Sequence, residues 1–243
     1  MNTETAKTSL PETVSYEDIA AEYYDSQHHP TCANFREASA RIISAWLEKL
    51  ETGQAEICEV GAGNSLAAEL LHASGKPYKK LAITDKSPSM LAFSAHWAND
   101  RTVLKLSDAA RLPFDSESVD LLISSLGDPY NDLNFWKEVG RVLKPDGHAI
   151  FTTPSHEWSV NFRSKLNSEK LSAEFELKNG ETVSVPSFIY SREQQADLLK
   201  QAGLQILEYK GVPLAELSSE KISPKLLIGN GKYIVEGYLV KKA

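Results

Sequence analysis

The chain has 243 residues, of which 42% are hydrophobic and 24% are charged, and its formal net charge is −7. This length suits one large α/β domain with a full core, and the acidic balance argues against a nucleic-acid partner, which usually requires a basic surface. No apolar run approaches the roughly 18 residues of a membrane span. The N-terminus lacks the apolar core of a signal peptide and the two cysteines are far apart, so we expect a cytoplasmic protein without a disulfide.

Two helices are predicted in the first 54 residues. Ser15 and Asp18 have the spacing of a capping box, which predicts a short amphipathic helix that starts at the next residue. The second helix is predicted to begin at a cap residue, Asn34, and to end at Gly53.

From residue 55 to residue 153, strand patterns and helix patterns alternate. Alternation with short connections predicts a doubly wound, Rossmann-like α/β fold with a mostly parallel sheet. Ligands of such sheets bind at the carboxyl ends of the strands. The predicted strands are Glu56–Val60, Lys80–Thr84, Thr102–Ser107, Val119–Ser125 and His148–Thr153, and the predicted helices are Ser65–Ser74, Ser87–Trp97 and Asn131–Leu143.

The most informative stretch is the turn that follows the first of these strands. It holds Gly61 and Gly63, and a helix is predicted to start near Ser65. Glycine allows a positive φ and a close approach of the backbone to a ligand, and the helix start directs free N–H groups to the same place. The next strand ends in Asp85, about twenty residues further on, where a carboxylate can accept hydrogen bonds from ribose hydroxyls. The pattern predicts a nucleotide-like ligand.

After residue 153 the regular alternation stops. Residues 155–189 are polar and contain one hairpin signal, Asn179-Gly180. A capping box at Ser191 predicts a helix up to Gly203. Two further strands are predicted at Leu204–Tyr209 and Lys232–Lys241.

Further landmarks follow the second strand, namely Asp108-Ala109, Leu112-Pro-Phe114 and Lys144-Pro-Asp-Gly147. Together with the glycine turn and Asp85, they make the sequence resemble the class I S-adenosylmethionine (SAM)-dependent methyltransferases. The similarity is greatest to the UbiE-like group, which methylates small molecules. The resemblance is close over residues 56–153 and loose at both ends.

The resemblance implies a single methyltransferase domain over residues 1–243. It would consist of an N-terminal helical lid (1–54), a cofactor-binding core (55–153), a substrate-side insertion (154–190) and a C-terminal segment (191–243). The C-terminal segment would complete a seven-stranded sheet, with the last strand antiparallel between the preceding two. The resemblance further implies SAM as cofactor, S-adenosylhomocysteine as product, a small-molecule acceptor, and a monomer or homodimer.

The resemblance also implies a set of cofactor-binding residues, several of which have a second interpretation. Glu59 would lie near the ammonium group of the cofactor, or would accept hydrogen bonds from nearby backbone N–H groups. Asp85 would hold the ribose or cap the following helix, and Asp108 would bind the adenine or close an Asx turn. Ser124 or Ser125 would line the cavity beside the methyl group, or cap the end of the strand. The full set is Tyr23, Glu59, Gly61, Ala62, Gly63, Asp85, Lys86, Asp108, Ala109 and Ser124.

No catalytic base stands out in the sequence. Adjacent histidine side chains diverge and have no partner at metal-ligand spacing, so we expect no metal site. Asp128-Pro129-Tyr130 resembles the (Asp/Asn)-Pro-Pro-Tyr motif of amino-methyltransferases that act on nucleic acid or protein, although one proline is missing. The candidate catalytic residues are His28, His29, Asp128, Tyr130, His156 and Tyr190.

The sequence leaves three other functions open. One is an amino-methyltransferase that uses Asp128-Pro129-Tyr130, and another is a SAM-binding subunit without catalysis of its own. The third is an NAD-dependent dehydrogenase, whose fingerprint requires glycine or alanine where this chain has Leu66.

Overall fold

Seven strands form one sheet in the order β3-β2-β1-β4-β5-β9-β8. In the computed structural model, which describes residues 14–163, 172–228 and 231–243, β1 to β5 run parallel, and β9 is antiparallel to both β5 and β8. The predicted fold class is therefore confirmed, including the position of the last strand. The strands of the sheet are Glu56–Val60 (β1), Lys80–Asp85 (β2), Thr102–Leu106 (β3), Val119–Ser124 (β4), Leu143–Pro154 (β5), Leu204–Val212 (β8) and Val235–Lys242 (β9).

Helices cover both faces of the sheet. Side chains along a strand alternate between faces, so Ile57 packs in the core cluster on one face and Cys58 in the cluster on the other. The first cluster includes residues of α2 and α3, and the second includes residues of α5 and α7. The helices are Tyr16–Tyr23 (α1), Pro30–Leu47 (α2), Leu66–Ser74 (α3), Pro88–Ala92 (α4), Leu133–Val142 (α5), His156–Arg163 (α6) and Arg192–Gln201 (α7).

Helix α2 packs on the sheet along most of its length. Ile42 and Trp46 are almost completely buried and lie against the backbone of β9 at Gly237, where a larger side chain would collide with them. The start of α2 lies at the carboxyl ends of the strands, where Pro30, Phe35 and Arg36 border a cavity. Within the predicted lid segment, α2 is therefore mainly a core helix.

A two-stranded hairpin stands apart from the main sheet. Its strands, Ser172–Glu176 (β6) and Thr182–Pro186 (β7), are antiparallel, as the Asn179-Gly180 signal predicts. Phe175, Val183 and Val185 of the hairpin bury Ile19 of α1 in a separate apolar cluster. Helix α1 and the hairpin therefore form one packed unit, which we call the lid.

Several boundaries differ from the sequence predictions. Helix α2 ends at Leu47, well before the predicted end at Gly53, β8 continues to Val212, and β9 begins at Val235 and not at Lys232. Helix α2 begins four residues before the predicted cap, because Pro30 fits the first turn of a helix, where no N–H donor is needed. Asn34 lies inside the helix, and its side chain instead binds the backbone of Lys221 and Ser223. The predicted helix over residues 87–97 breaks into α4 and a 3-10 turn, Ala95–Trp97, and β5 begins five residues earlier than predicted.

Within residues 14–163, 172–228 and 231–243, two features are absent: a membrane-spanning helix and a cluster of metal-binding side chains. No helix there is long and apolar enough to cross a membrane. In the same residue ranges, no group of three or more His, Cys, Asp or Glu side chains could hold a metal ion.

Candidate active site

A cavity of about 1120 Å³ lies at the carboxyl ends of the parallel strands. Its base is formed by Gly61 and Ala62 after β1, by Asp85 at the end of β2, and by the loops after β3 and β4. The lid and the start of α2 supply the opposite side. The cavity is thus where a doubly wound sheet places its ligand.

The glycine turn has the backbone conformation that the sequence predicts. Gly61 has φ +60° and Gly63 has φ +48°, both in the left-handed region that favours glycine. The ring of Tyr130 lies directly against Gly61, in the space that a Cβ atom there would need. Its hydroxyl donates to the Val60 carbonyl at 2.7 Å. A side chain at position 61 would therefore displace Tyr130.

Glu59 is completely buried and stabilises the start of α3. Its carboxylate accepts hydrogen bonds from the backbone N–H groups of Leu66 and Ala67, both at 3.0 Å, and from the Ser65 hydroxyl. Burial raises its pKa, and these hydrogen bonds act in the opposite direction. Glu59 does not border the cavity, so the backbone-binding interpretation matches the geometry. A role toward the cofactor's ammonium group stays a prediction.

Asp85 joins the glycine turn to the loop after β2. One carboxylate oxygen accepts from the Gly63 N–H at 2.8 Å, and the other accepts from the Ser87 N–H at 2.9 Å. The side chain is buried, borders the cavity, and has a pKa raised by desolvation. Each oxygen has a second lone pair, so the same carboxylate can still accept from a ligand hydroxyl. The cap and the ribose roles are therefore compatible.

Lys86 and Asp108 form an ion pair of 2.7 Å at the cavity edge. Asp108 also accepts from the Ala110 N–H at 2.9 Å, which is the Asx turn considered above. The hydrogen bond from Lys86 is the main reason why the Asp108 pKa lies below its usual value. Ala109 is buried and borders the cavity. All three predicted residues therefore border the cavity, and their role in adenine binding stays a prediction.

The two serines at the end of β4 have different positions. Ser125 borders the cavity, and its hydroxyl lies 2.8 Å from that of Ser39 on α2. Ser124 is fully buried behind the cavity surface, with its hydroxyl 3.0 Å from that of Tyr130. Of the pair that the sequence left open, Ser125 is the one exposed to a ligand.

The candidate catalytic residues separate into two groups. His28, His29, Asp128 and Tyr130 border the cavity, whereas His156 and Tyr190 do not. Asp128 is buried, accepts a hydrogen bond from the Ser187 hydroxyl, and receives the Phe188 N–H on its backbone carbonyl. Burial raises the pKa of Tyr130 well above its usual value. His28 is exposed and pairs with Asp25 at 3.0 Å.

Two cavity residues were not found from the sequence. Glu17 on α1 accepts hydrogen bonds from the Ser87 and Ser89 hydroxyls and from the Ser89 N–H, which ties the lid to the core beside Asp85. Arg36 on α2 donates to the Asn64 carbonyl at 2.8 Å, next to the glycine turn. A charged residue on an amphipathic helix normally faces solvent, so the sequence alone does not identify Glu17 and Arg36 as cavity residues. Their position depends on how α1 and α2 pack.

Tyr23 and Tyr24 end α1 at the cavity surface. Tyr24 accepts the Asn64 N–H at 2.7 Å and so touches the glycine turn, and burial raises its pKa to about 12. Tyr23 is stacked against Phe175 with ring centres 6.1 Å apart. Tyr23 therefore lies on the lid side of the cavity, and Tyr24 connects the lid to the predicted cofactor residues.

Comparison with known proteins identifies the family. Residues 58–151 match the Methyltransferase domain family (Methyltransf_11), a range that contains the glycine turn, Asp85 and Asp108. Residues 58–151 therefore form a methyltransferase domain. The enzyme class and the cofactor predicted from the sequence are thereby confirmed at the level of the family, while membership of the UbiE-like group stays a prediction.

Individual relatives of this methyltransferase are more distant. A malonyl-[acyl-carrier protein] O-methyltransferase of a Marinomonas species is 31% identical over 149 residues, which is 58% of this chain and 54% of that protein. The chain thus spans about half the length of this relative. An uncharacterized protein of Methanocaldococcus jannaschii is 26% identical over 91% of this chain and 90% of its own length.

Solved structures share the fold at low identity. A chain of the complex between the Haloferax volcanii Trm112 methyltransferase activator and its methyltransferase partner matches with a TM-score of 0.62 and 19% identity. The match covers 94% of this chain and 95% of that one. At this identity the likeness establishes the fold and leaves the acceptor open.

Proposed function

We propose that this methyltransferase transfers the methyl group of SAM to a small-molecule acceptor bound in the same cavity. The observation that carries this proposal is the size and continuity of the cavity, about 1120 Å³ from Asp108 at one end to Phe175 of the lid. A pocket for one drug-sized ligand has about 300–1,000 Å³. The cavity therefore has room for the cofactor and a small acceptor together.

The cofactor would occupy the side formed by the strand ends. Asp85 would accept hydrogen bonds from the ribose hydroxyls, and Asp108 would accept from the adenine amino group. Arg36, beside the glycine turn, would face the carboxylate of the methionine moiety. Bound SAM would supply a methyl group on a sulfonium, which carries its own leaving group. The contribution of this chain is to hold and orient the two substrates.

The acceptor would occupy the lid side. Tyr16 and Tyr23 are partly buried there, and Phe175 stacks on Tyr23. Aromatic faces of this kind suit an acceptor with an apolar or planar body. The Glu17 contact keeps the lid against the core, which excludes water from the reacting groups. A covered cavity supports a small acceptor over a duplex or a folded protein.

A second candidate is an amino-methyltransferase acting on a macromolecule through Asp128-Pro129-Tyr130. One observation favours it, since Asp128 borders the cavity while Tyr130 touches the glycine turn. The complex of the Haloferax neighbour with an activator protein makes a similar subunit a candidate partner. Whether the chain is a monomer or a homodimer stays a prediction.

The experiment follows label from methyl-tritiated SAM into two fractions of one cell extract. The first contains only metabolites, freed of protein and nucleic acid, and the second contains only the macromolecules. We expect enzyme-dependent label in the metabolite fraction. Label confined to the macromolecules, and abolished by Asp128→Ala, would overturn the small-molecule proposal in favour of the second candidate.

A further inference from the structure

His29 and Glu22 form a hydrogen-bonded pair on the lid side of the cavity. His29 Nε2 lies 2.9 Å from Glu22 Oε2, and both side chains are largely buried. The imidazole also stacks on Phe175, with ring centres 4.3 Å apart. The same Glu22 oxygen accepts the backbone N–H of Lys178 in the hairpin at 2.8 Å. The imidazole is thus held by α1 and by the hairpin.

The second ring nitrogen of His29 has a different environment. Among the described residues no side chain or backbone group bonds to Nδ1, and this atom is not fully buried. His29 borders the cavity, and Nδ1 is the ring nitrogen that Glu22 leaves available. A carboxylate at Nε2 favours the tautomer with the proton on Nε2, since that nitrogen can then donate. In this tautomer Nδ1 carries a free lone pair.

We infer that His29 is the general base of this methyltransferase and that its acceptor is a hydroxyl group, phenolic or alcoholic. The inference rests on the proposed transfer to a small molecule. The hydroxyl oxygen attacks the methyl carbon as its proton passes to His29 Nδ1. The new C–O bond forms while the C–S bond breaks, and the C–S electron pair stays on sulfur. The positive charge of the sulfonium reappears on the imidazolium, next to Glu22.

A general base such as the His29–Glu22 pair is needed for a hydroxyl acceptor but not for an amine or a carboxylate. A neutral amine attacks with its own lone pair and a carboxylate is already ionised, so neither needs a base before the methyl group moves. A hydroxyl is a weak nucleophile until its proton is removed, and a nucleophile, a base and a group that orients the base are the usual arrangement for that task. His29 and Glu22 supply the last two.

Titratable groups from each of the elements around His29 lie near its imidazole ring. Glu22 of α1 faces Nε2 directly, and Asp25 lies in the same loop, where it pairs with the Lys178 ammonium at 2.6 Å. Cys32, one turn along α2, has a pKa raised to about 12 by burial and is neutral at physiological pH. Since Asp25 and Lys178 pair with each other, Glu22 is the carboxylate that directly faces the imidazole.

The experiment uses the full chain with methyl-tritiated SAM and matched pairs of probe acceptors: phenol and aniline, catechol and 1,2-diaminobenzene, benzyl alcohol and benzylamine. Wild type, His29→Gln, Glu22→Gln and the surface control His72→Gln are compared from about pH 5 to about pH 9. Glutamine keeps an N–H for Glu22 but has no basic nitrogen. His29 makes no side-chain cap for α2, so the exchange removes no helix cap. Thermal shift with S-adenosylhomocysteine is measured on every variant.

We expect the hydroxyl probes to be methylated and the amine probes to be much poorer acceptors. His29→Gln should lower kcat by about 10²–10⁴-fold, with little change in KM, and remove the rising limb of the pH profile. Glu22→Gln should lower kcat for the hydroxyl probes with little change in KM, because the imidazole loses the carboxylate that fixes its tautomer. A purely structural role for Glu22 would instead reduce the thermal shift with S-adenosylhomocysteine.

Three results would overturn the inference: methylation of amine probes only, no methylation of any hydroxyl probe, or full activity of His29→Gln. These results are distinct from failure of the proposed function, which would appear as enzyme-dependent label confined to the macromolecules of the cell extract.

Discussion

Replacing Gly61 by alanine is expected to destabilise the protein far more than the same change at a glycine in open space. At φ +60° an alanine pays about 1–2 kcal/mol for the left-handed conformation. Its Cβ would also overlap the Tyr130 ring, whose hydroxyl is fixed by the Val60 carbonyl. Overpacking of this kind costs about 1–3 kcal/mol. The expected total is about 2–5 kcal/mol.

The matched control for Gly61→Ala is Gly75→Ala at the end of α3. Gly75 has nearly the same φ, +64°, but a Cβ there has no atom within 4 Å, so only the conformational cost applies. For a chain of this size, 1 kcal/mol corresponds to about 2–4 °C in Tm. We therefore expect Tm to fall by about 4–20 °C for Gly61→Ala and by about 2–8 °C for Gly75→Ala, measured by circular dichroism without ligand.

A double mutant separates the two terms. In a Tyr130→Ala background the overlap is gone, so Gly61→Ala should cost no more than Gly75→Ala does in the wild type. Equal Tm losses for the two single glycine variants would refute the reasoning, because they would mean that Tyr130 does not occupy the space beside Gly61.

Two further predictions concern the start of α3 and the lid. Ser65→Ala removes the hydroxyl that caps α3 and bonds to Glu59, so we expect a loss of about 1 kcal/mol, or about 2–4 °C in Tm by calorimetry, and an unchanged Tm would contradict it. The Glu17 contact should depend on pH, because hydrogen bonds from Ser87 and Ser89 lower the Glu17 pKa below its ordinary value of 4.5. The contribution of this contact to stability is therefore complete above pH 4.5 and is lost as the pH falls through the lower pKa of the folded state. Hydrogen exchange of α1, corrected for the intrinsic rate, should rise on acidification before that of β4, and Glu17→Gln should show this rise already at neutral pH. Exchange that is the same in Glu17→Gln and wild type would show that the contact does not hold the lid.

Most of the sheet could be predicted because its signals are local. The strand Glu56–Val60 has the same bounds in the structure as in the prediction, since a buried parallel strand followed by a glycine turn is readable without tertiary information. The positive φ values of Gly61 and Gly63 follow from the same pattern. Ser15 and Ser191 open helices with capping boxes, as their spacing to Asp18 and Gln194 predicts.

The failures of prediction arise where distant parts of the chain meet. Asn34 has the residue type of a helix cap, but its side chain binds the backbone of Lys221 and Ser223, and Pro30 starts the helix. Glu17 and Arg36 have ordinary charged-helix surroundings in the sequence, and become cavity residues only through the packing of α1 and α2 over the strand ends. The choice of His29 over His28 likewise depends on Glu22, seven residues away in the chain.

The most direct test of the account is the binding of S-adenosylhomocysteine by isothermal titration calorimetry to wild type and Asp85→Asn. Asparagine has one side-chain oxygen and no charge, so it cannot accept from both Gly63 and Ser87 and also bind the ribose hydroxyls as a carboxylate would. Hydrogen bonds to a charged group are worth about 1.5–3 kcal/mol, so the dissociation constant should rise by about 10- to 100-fold. Wild type should bind one molecule per chain. No binding to wild type, or equal affinity of Asp85→Asn, would contradict the assignment of the cofactor site.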